Sequence, residues 1–260
     1  MTAVLDQAYT LKGKVALVTG ADESLGRAIA IQLAQRGASV AVIFSQGEHA
    51  ANEVVAAIEK AGSRAVAMKA DVAKVTEVAR LFDDTVKHLG RLDIIVSNPA
   101  ATDVFKAEGE VSEEDFDRVF NLNTRAQFFI AQLGYKHLQE NGRIILTSSI
   151  APPKAGAGFH ALHVGSKAAV EGFTRSFALD CGPKRVTVNA ISPGTTKTDP
   201  NDKNAWHYSS SATATQSVSS ISPLRTVAAP QDVGKVVAFL SHSDSEWING
   251  QIIPTCGALS

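Results

Sequence analysis

Short runs of β-branched and apolar residues alternate along this chain with longer amphipathic segments, and that alternation leaves few folds open to it. Val15-Ala16-Leu17-Val18 is apolar without a break, as a strand covered on both faces is. The segment 25–36 then places Ile29, Ala30 and Leu33 on one helical face, and Gly37 stops it. The pattern repeats, with strands predicted at 40–44, 65–69, 92–97, 143–148, 186–191 and 251–253. Helices are predicted at 48–60, 75–89, 163–181 and 231–240. Another, long helix opens at Ser112, whose partner Asp115 three residues on makes a capping box, and it runs on through Arg118 and Phe129. Such βαβ units build an α/β domain on one doubly wound parallel sheet of about seven strands, flanked by helices on both faces. A length of 260 residues suits a single domain spanning 1–260. Residues 195–222 are polar and irregular and read as a lid or binding loop inserted in it.

Composition excludes several classes of partner. The net charge of -1 gives no long-range attraction to nucleic acid or to an anionic membrane. No stretch is apolar over the length of a membrane helix, and residues 1–12 lack the pattern of a secretory signal. Cys181 and Cys256 are too few for a disulfide framework and are not in metal-ligand spacing, so no metal is expected. A small-molecule ligand and a cytoplasmic setting are the expectations.

In an open sheet of this kind ligands bind at the carboxyl ends of the strands, where the winding reverses. Thr19-Gly20, Ser97-Asn98, Ser148-Ser149 and Ser192-Pro193-Gly194 each fall at such an end, so polar residues gather on one edge. The first strand runs into Thr19-Gly20-Ala21-Asp22-Glu23-Ser24-Leu25-Gly26. A glycine turn there brings backbone N–H groups and a helix N-terminus up to a pyrophosphate. Asp22 and Glu23 put two carboxylates beside that place, each like-charge pair costing on the order of 1 kcal/mol. Acidic residues in a first turn also complement the helix dipole, so a solvated helix start is the alternative.

Four further stretches are specific in detail: Phe120-Asn121-Leu122-Asn123-Thr124-Arg125, Arg143 through Ile150, His160 through Phe173, and Ser245-Glu246-Trp247-Ile248-Asn249-Gly250. With them the chain resembles the short-chain dehydrogenase/reductase superfamily over essentially its whole length. Within it the likeness is to the fungal polyhydroxynaphthalene reductases. The resemblance implies a Rossmann-type fold, a homo-tetramer or homo-dimer, and catalytic groups at Asn123, Ser149, Lys167 and position 163. In the family the last is a tyrosine that hands a proton to a carbonyl oxygen. Here it is His163, and the three tyrosines, Tyr9, Tyr135 and Tyr208, all lie outside the motif.

The dinucleotide site carried over from the family falls on Thr19, Gly20, Gly26, Asp71, Val72, Asn98, Pro193 and Gly194. Several of its positions depart from the family. Ser24 replaces a glycine of the loop, Glu23 stands where an arginine often holds a 2′-phosphate, and Pro99-Ala100 replaces an Ala-Gly turn. These departures lead to the expectation that no cofactor is required, or that NADP(H) is retained weakly. A neighbouring ammonium disfavours imidazolium, so His163 is expected neutral beside Lys167. Neutral imidazole is a reasonable base and a poor acid.

The expected function is therefore a non-redox step on a polyketide or other polycyclic ketone. Cyclisation (Diels–Alder type included), isomerisation and dehydration all qualify, with His163 as acid/base and Ser149 polarising the carbonyl. One alternative is an NADPH-dependent ketoreductase of an aromatic polyketide in which His163 or a lid residue replaces the tyrosine. Another is a catalytically silent partner of an active homologue. Phe159 and the lid residues Trp206, His207 and Tyr208 are the candidate contacts to a flat substrate. Trp247 is expected in the core or at an interface, and Arg125 in an ion pair or at an interface.

Overall fold

The computed structural model describes residues 9–99, 101, 106–149, 160–194, 196–197 and 222–258. Seven strands form one parallel sheet in the order β3-β2-β1-β4-β5-β6-β7. They are β1 Val15–Thr19, β2 Ser39–Phe44, β3 Ala65–Lys69, β4 Ile94–Ser97, β5 Arg143–Thr147, β6 Thr187–Pro193 and β7 Ile252–Thr255. The helices are α1 Ser24–Gln35, α2 Glu48–Lys60, α3 Val75–Leu89, α4 Glu113–Phe120, α5 Ala126–His137, α6 Ala161–Asp180 and α7 Pro230–Leu240. The doubly wound sheet is as the alternation of elements predicts, and, the helix opened by Ser112 apart, element ends lie within two residues of the predicted ones.

Strands β1 and β5 are buried at every position, which is why Val15–Val18 and Ile144–Leu146 within them read as unbroken apolar runs. One face of the sheet packs Ile29 and Leu33 of α1, Val54 and Ile58 of α2, and Val233 and Val237 of α7. The other face packs Leu81 and Phe82 of α3, Ile130 of α5, and Val170 and Ala178 of α6. Because β1 pairs with β2 on one side and β4 on the other, winding reverses between β1 and β4. That reversal opens a crevice at the carboxyl ends of these strands, beside Thr19 and Ser97.

The long helix expected from Ser112 past Phe129 is not continuous. Its start is as predicted: the Ser112 side chain accepts from Asp115 N–H, and Asp115 reaches back to the Ser112 N–H. Between α4 and α5, however, Asn121–Arg125 winds as a π-helix. Side-chain periodicity does not distinguish i→i+4 from i→i+5 bonding over one turn, so the sequence reads through it. Trp247 is 96% exposed, which corrects the expectation of a core position. Arg125 stacks its guanidinium over Phe129 at 5.0 Å and donates to the Ala73 carbonyl.

The step from β1 into α1 depends on glycine. Gly20 has φ +61°, and a Cβ added at Gly26 would collide with the Gly20 carbonyl oxygen. Gly26→Ala is therefore expected to lower stability by about 1–3 kcal/mol, read as a fall in the urea midpoint, because backbone rather than a movable side chain opposes the new methyl.

Candidate active site

The crevice is built from strand ends tied together by side chains. Thr19, fully buried, accepts the Asn98 N–H at 2.9 Å and so joins β1 to β4. Thr147 at the end of β5 donates its hydroxyl to Asn98 Oδ1 at 3.4 Å. On the far side, Gly194 donates to the Thr255 carbonyl at 3.3 Å, which sets the Pro193-Gly194 end of β6. Asp71 follows β3, accepts the Ala73 N–H at 3.1 Å and pairs with Lys74, while Val72 packs into the core below.

The turn at Gly20 and Gly26 keeps the close approach a diphosphate cradle requires. A Cβ on Gly20 would stand 2.9 Å from the Asn98 carbonyl oxygen. The N-cap residue of α1, Glu23, makes no side-chain cap hydrogen bond. These features fit a nucleotide diphosphate at the N-terminus of a helix. Asp22, Glu23 and Ser24 are half-buried at its rim. The Asp22 carboxylate reaches across to the β2–α2 turn, where a Cβ on Gly47 would lie 2.5 Å from its Oδ2. One of the two acidic groups is thus laid over the neighbouring turn.

The candidate catalytic groups come from α6, β5 and the π-helix. His163, Ser166, Lys167, Val170 and Thr174 share the buried face of α6, at the three- and four-residue spacing of a helix. His163 is 6% and Lys167 1% exposed. Lys167 donates its Nζ to the Thr147 carbonyl at 3.0 Å. Burial holds its pKa down to about 7. Burial, then the charges of Lys167 and His160, depresses the His163 imidazole to about 3. The ring is therefore neutral at pH 7, as the sequence predicts, but desolvation contributes more than the lysine does.

Ser148 and Ser149 follow β5 and differ in surroundings. Ser148 is buried and donates to Glu171 of α6 at 3.0 Å, whereas Ser149 is half-buried. Asn123 is fully buried, and its side chain works on the scaffold. Its Oδ1 accepts the Ala101 N–H at 2.6 Å, and its Nδ2 donates to the Ala101 carbonyl at 3.3 Å and to Ser166 Oγ at 3.1 Å. Asn123 therefore locks the segment after β4 onto α6.

Sequence reasoning missed Gln127. It is fully buried, donates to the carbonyls of Asn123 and Thr147 at 2.8 and 3.0 Å, and accepts the Thr147 N–H at 2.9 Å. Its signal was a lone amide inside the apolar run Ala126–Ala131. Phe159, Trp206, His207 and Tyr208 lie outside the described residues. Among the described residues no group of three or more His, Cys, Asp or Glu converges to hold a metal ion, and no helix is long and apolar enough to cross a membrane.

A family model described as enoyl-(acyl carrier protein) reductase matches residues 20–259. The chain is 58% identical over 255 residues to the hydroxynaphthalene reductase-like protein Arp2 of Metarhizium guizhouense, covering 95% of each. It is 49% identical to the tetrahydroxynaphthalene reductase PfmaG of Pestalotiopsis fici, over 94% of this chain and 91% of that one. A short chain dehydrogenase from Burkholderia cenocepacia, solved in complex with NADP, superposes with a TM-score of 0.88 at 34% identity, over 95% of this chain and 98% of that one. The expectation of no required cofactor, or of NADP(H) retained weakly, is corrected by these relatives: a reductase family model matches, and this neighbour is solved with NADP, which conflicts with no cofactor being required. The changed side chains of the loop leave its backbone turn at Gly20 and Gly26 in place. With this fold, this strand order and these relatives, the chain belongs to the short-chain dehydrogenase/reductase family, beside the fungal hydroxynaphthalene reductases.

Proposed function

We propose that this chain is a nicotinamide-dependent reductase of a hydroxynaphthalene-type polycyclic ketone, in which His163 and Lys167 share the task of the family's tyrosine. The observation that carries this reading is the pair itself: a buried neutral imidazole four residues from a buried lysine whose pKa is about 7. The relatives named as hydroxynaphthalene reductases support the substrate class.

NADP(H), when bound, supplies the hydride. Thr19, Gly20, Gly26 and Asn98 would hold its diphosphate side, and Asp71, Val72, Pro193 and Gly194 would frame its two rings. Ser149 donates a hydrogen bond to the substrate carbonyl oxygen, which gains negative charge as the carbon is reduced. A neutral imidazole N–H is too weak an acid to ionise alone. His163 therefore gives its ring proton to the oxygen as its other ring nitrogen takes one. At neutral pH Lys167 is half protonated and can lend that proton, which solvent then restores. A lysine with a pKa near the working pH is well matched to this role.

A second reading is favoured by the histidine. Neutral imidazole beside a serine hydroxyl also suits isomerisation, dehydration or cyclisation of the same class of ketone. Replacing position 163 separates the two.

The purified protein, given NADPH and a tetralone-type hydroxynaphthalene ketone, is expected to oxidise the coenzyme as followed at its absorbance band. Reduction falls as pH rises through about 7, where Lys167 loses its proton. His163→Ala is expected to slow reduction by about 100-fold, the size of one positioned acid, and His163→Tyr to preserve or raise it. Coenzyme binding with no reduction, together with loss of the native turnover in His163→Tyr, would support the second reading instead. Separately, the His163 ring signals in an NMR titration are expected to stay in the neutral form from pH 8 to pH 5. An unfolded chain binds that proton near 6.5 and the folded one only near 3, so acid favours unfolding across this window.

A further inference from the structure

We propose that Gln127 is a positioning residue for Lys167: it aims the Thr147 carbonyl that holds the ammonium. The inference rests on the reductase reading above and assigns a role to a residue outside the group carried over from the family.

The geometry fixes both ends of the Gln127 amide. The Thr147 N–H points at Oε1 at 2.9 Å, so that end is the oxygen. Nε2 then faces two acceptors, Asn123 O at 2.8 Å and Thr147 O at 3.0 Å. Both protons and an oxygen lone pair are in use in a fully buried side chain. One amide therefore grips both the N–H and the carbonyl of Thr147, and anchors them to the π-helix at Asn123.

Thr147 O accepts from Gln127 and from Lys167 at the same 3.0 Å. Its two lone pairs are thereby divided between a fixed donor and the ammonium. Without the first donor the carbonyl is free to turn, and the ammonium can take both lone pairs. Both changes move Nζ and favour its charged form. The π-helix supplies the other anchor: a distorted turn leaves the Asn123 carbonyl near the first turn of α5, where an amide four residues on can reach it.

Among the described residues, few groups around Lys167 carry or could carry charge. On α6 they are His163, one turn before it, and Glu171, one turn after, the latter engaged with Ser148 and Arg175. From α5 and β5 the facing groups are Gln127 and Thr147, which do not titrate. A carboxylate at position 127 would be the new charge.

The test uses Gln127→Glu, which keeps the shape, and Gln127→Leu, which removes all three bonds. Gln127→Glu is expected to lower kcat about 100-fold while KM for coenzyme and ketone changes less than threefold. Its activity relative to wild type is expected to recover at least tenfold from pH 8 to pH 5.5, as the introduced carboxylate gains a proton and becomes a donor again. A relative activity that does not depend on pH, or a loss carried by KM, would overturn the proposal.

A second readout needs no turnover. The folded protein gives up the Lys167 proton at a lower pH than the unfolded chain, so its Tm is expected to rise from pH 7 toward pH 10. Gln127→Glu and Gln127→Leu should both flatten that rise, and Lys167→Met should remove it. An unchanged slope in both Gln127 variants overturns the role, even if the wild type reduces ketones well. Absence of ketone reduction in the wild type, with the slopes behaving as expected, overturns the reductase reading and leaves Gln127 as the residue that sets Lys167.

Discussion

The site depends on an ammonium kept almost wholly from water by backbone and packing. Lys167 is 1% exposed, and the acceptor it meets among the described residues is a neutral carbonyl. Burying a charge without a countercharge disfavours it, and the lysine answers by titrating close to neutrality. The imidazole one turn away is held neutral by the same burial. A lysine that is fully charged at pH 7 in water and a histidine that titrates near 6.5 are both shifted toward their neutral forms by the same burial.

Around that pair the scaffold is a chain of short polar bonds. Thr19 is tied to Asn98, Asn98 to Thr147, Thr147 to Gln127, and Gln127 to Asn123. Asn123 continues the chain to Ala101 and Ser166. It joins the ends of β1, β4 and β5 to α5 and α6. All of its side chains lie at the carboxyl edge of the sheet, where a parallel sheet runs out of ladder partners and its last N–H and C=O groups need other company. Polar residues at these strand ends therefore finish the backbone as much as they address a ligand.

That double duty explains what could be read in advance. The strands and the polar edge at their carboxyl ends follow from apolar runs and glycine stops, because burial on both faces imposes those runs, whereas the order of the strands was read only from the structure. Positions 149, 163 and 167 could be named from the family resemblance, and neutrality at His163 from its lysine neighbour. The π-helix at Asn121–Arg125 was not legible, since nothing in residue type marks the extra residue in the turn. Nor was the Gln127 role, because an amide in an apolar helix run does not reveal which backbone groups across the core it meets. Charge could be read from letters, but the reach of Asp22 toward Gly47 could not.

The lattice of bonds about position 163 bears on how this protein stands among its relatives. The bond of Lys167 to the Thr147 carbonyl and the Asn123 brace on Ser166 do not involve the side chain at position 163. Histidine and tyrosine codons differ in one base. A single point change would return a phenol to a socket whose walls are already standing, so the distance between this chain and a conventional member of its family is one nucleotide at that site.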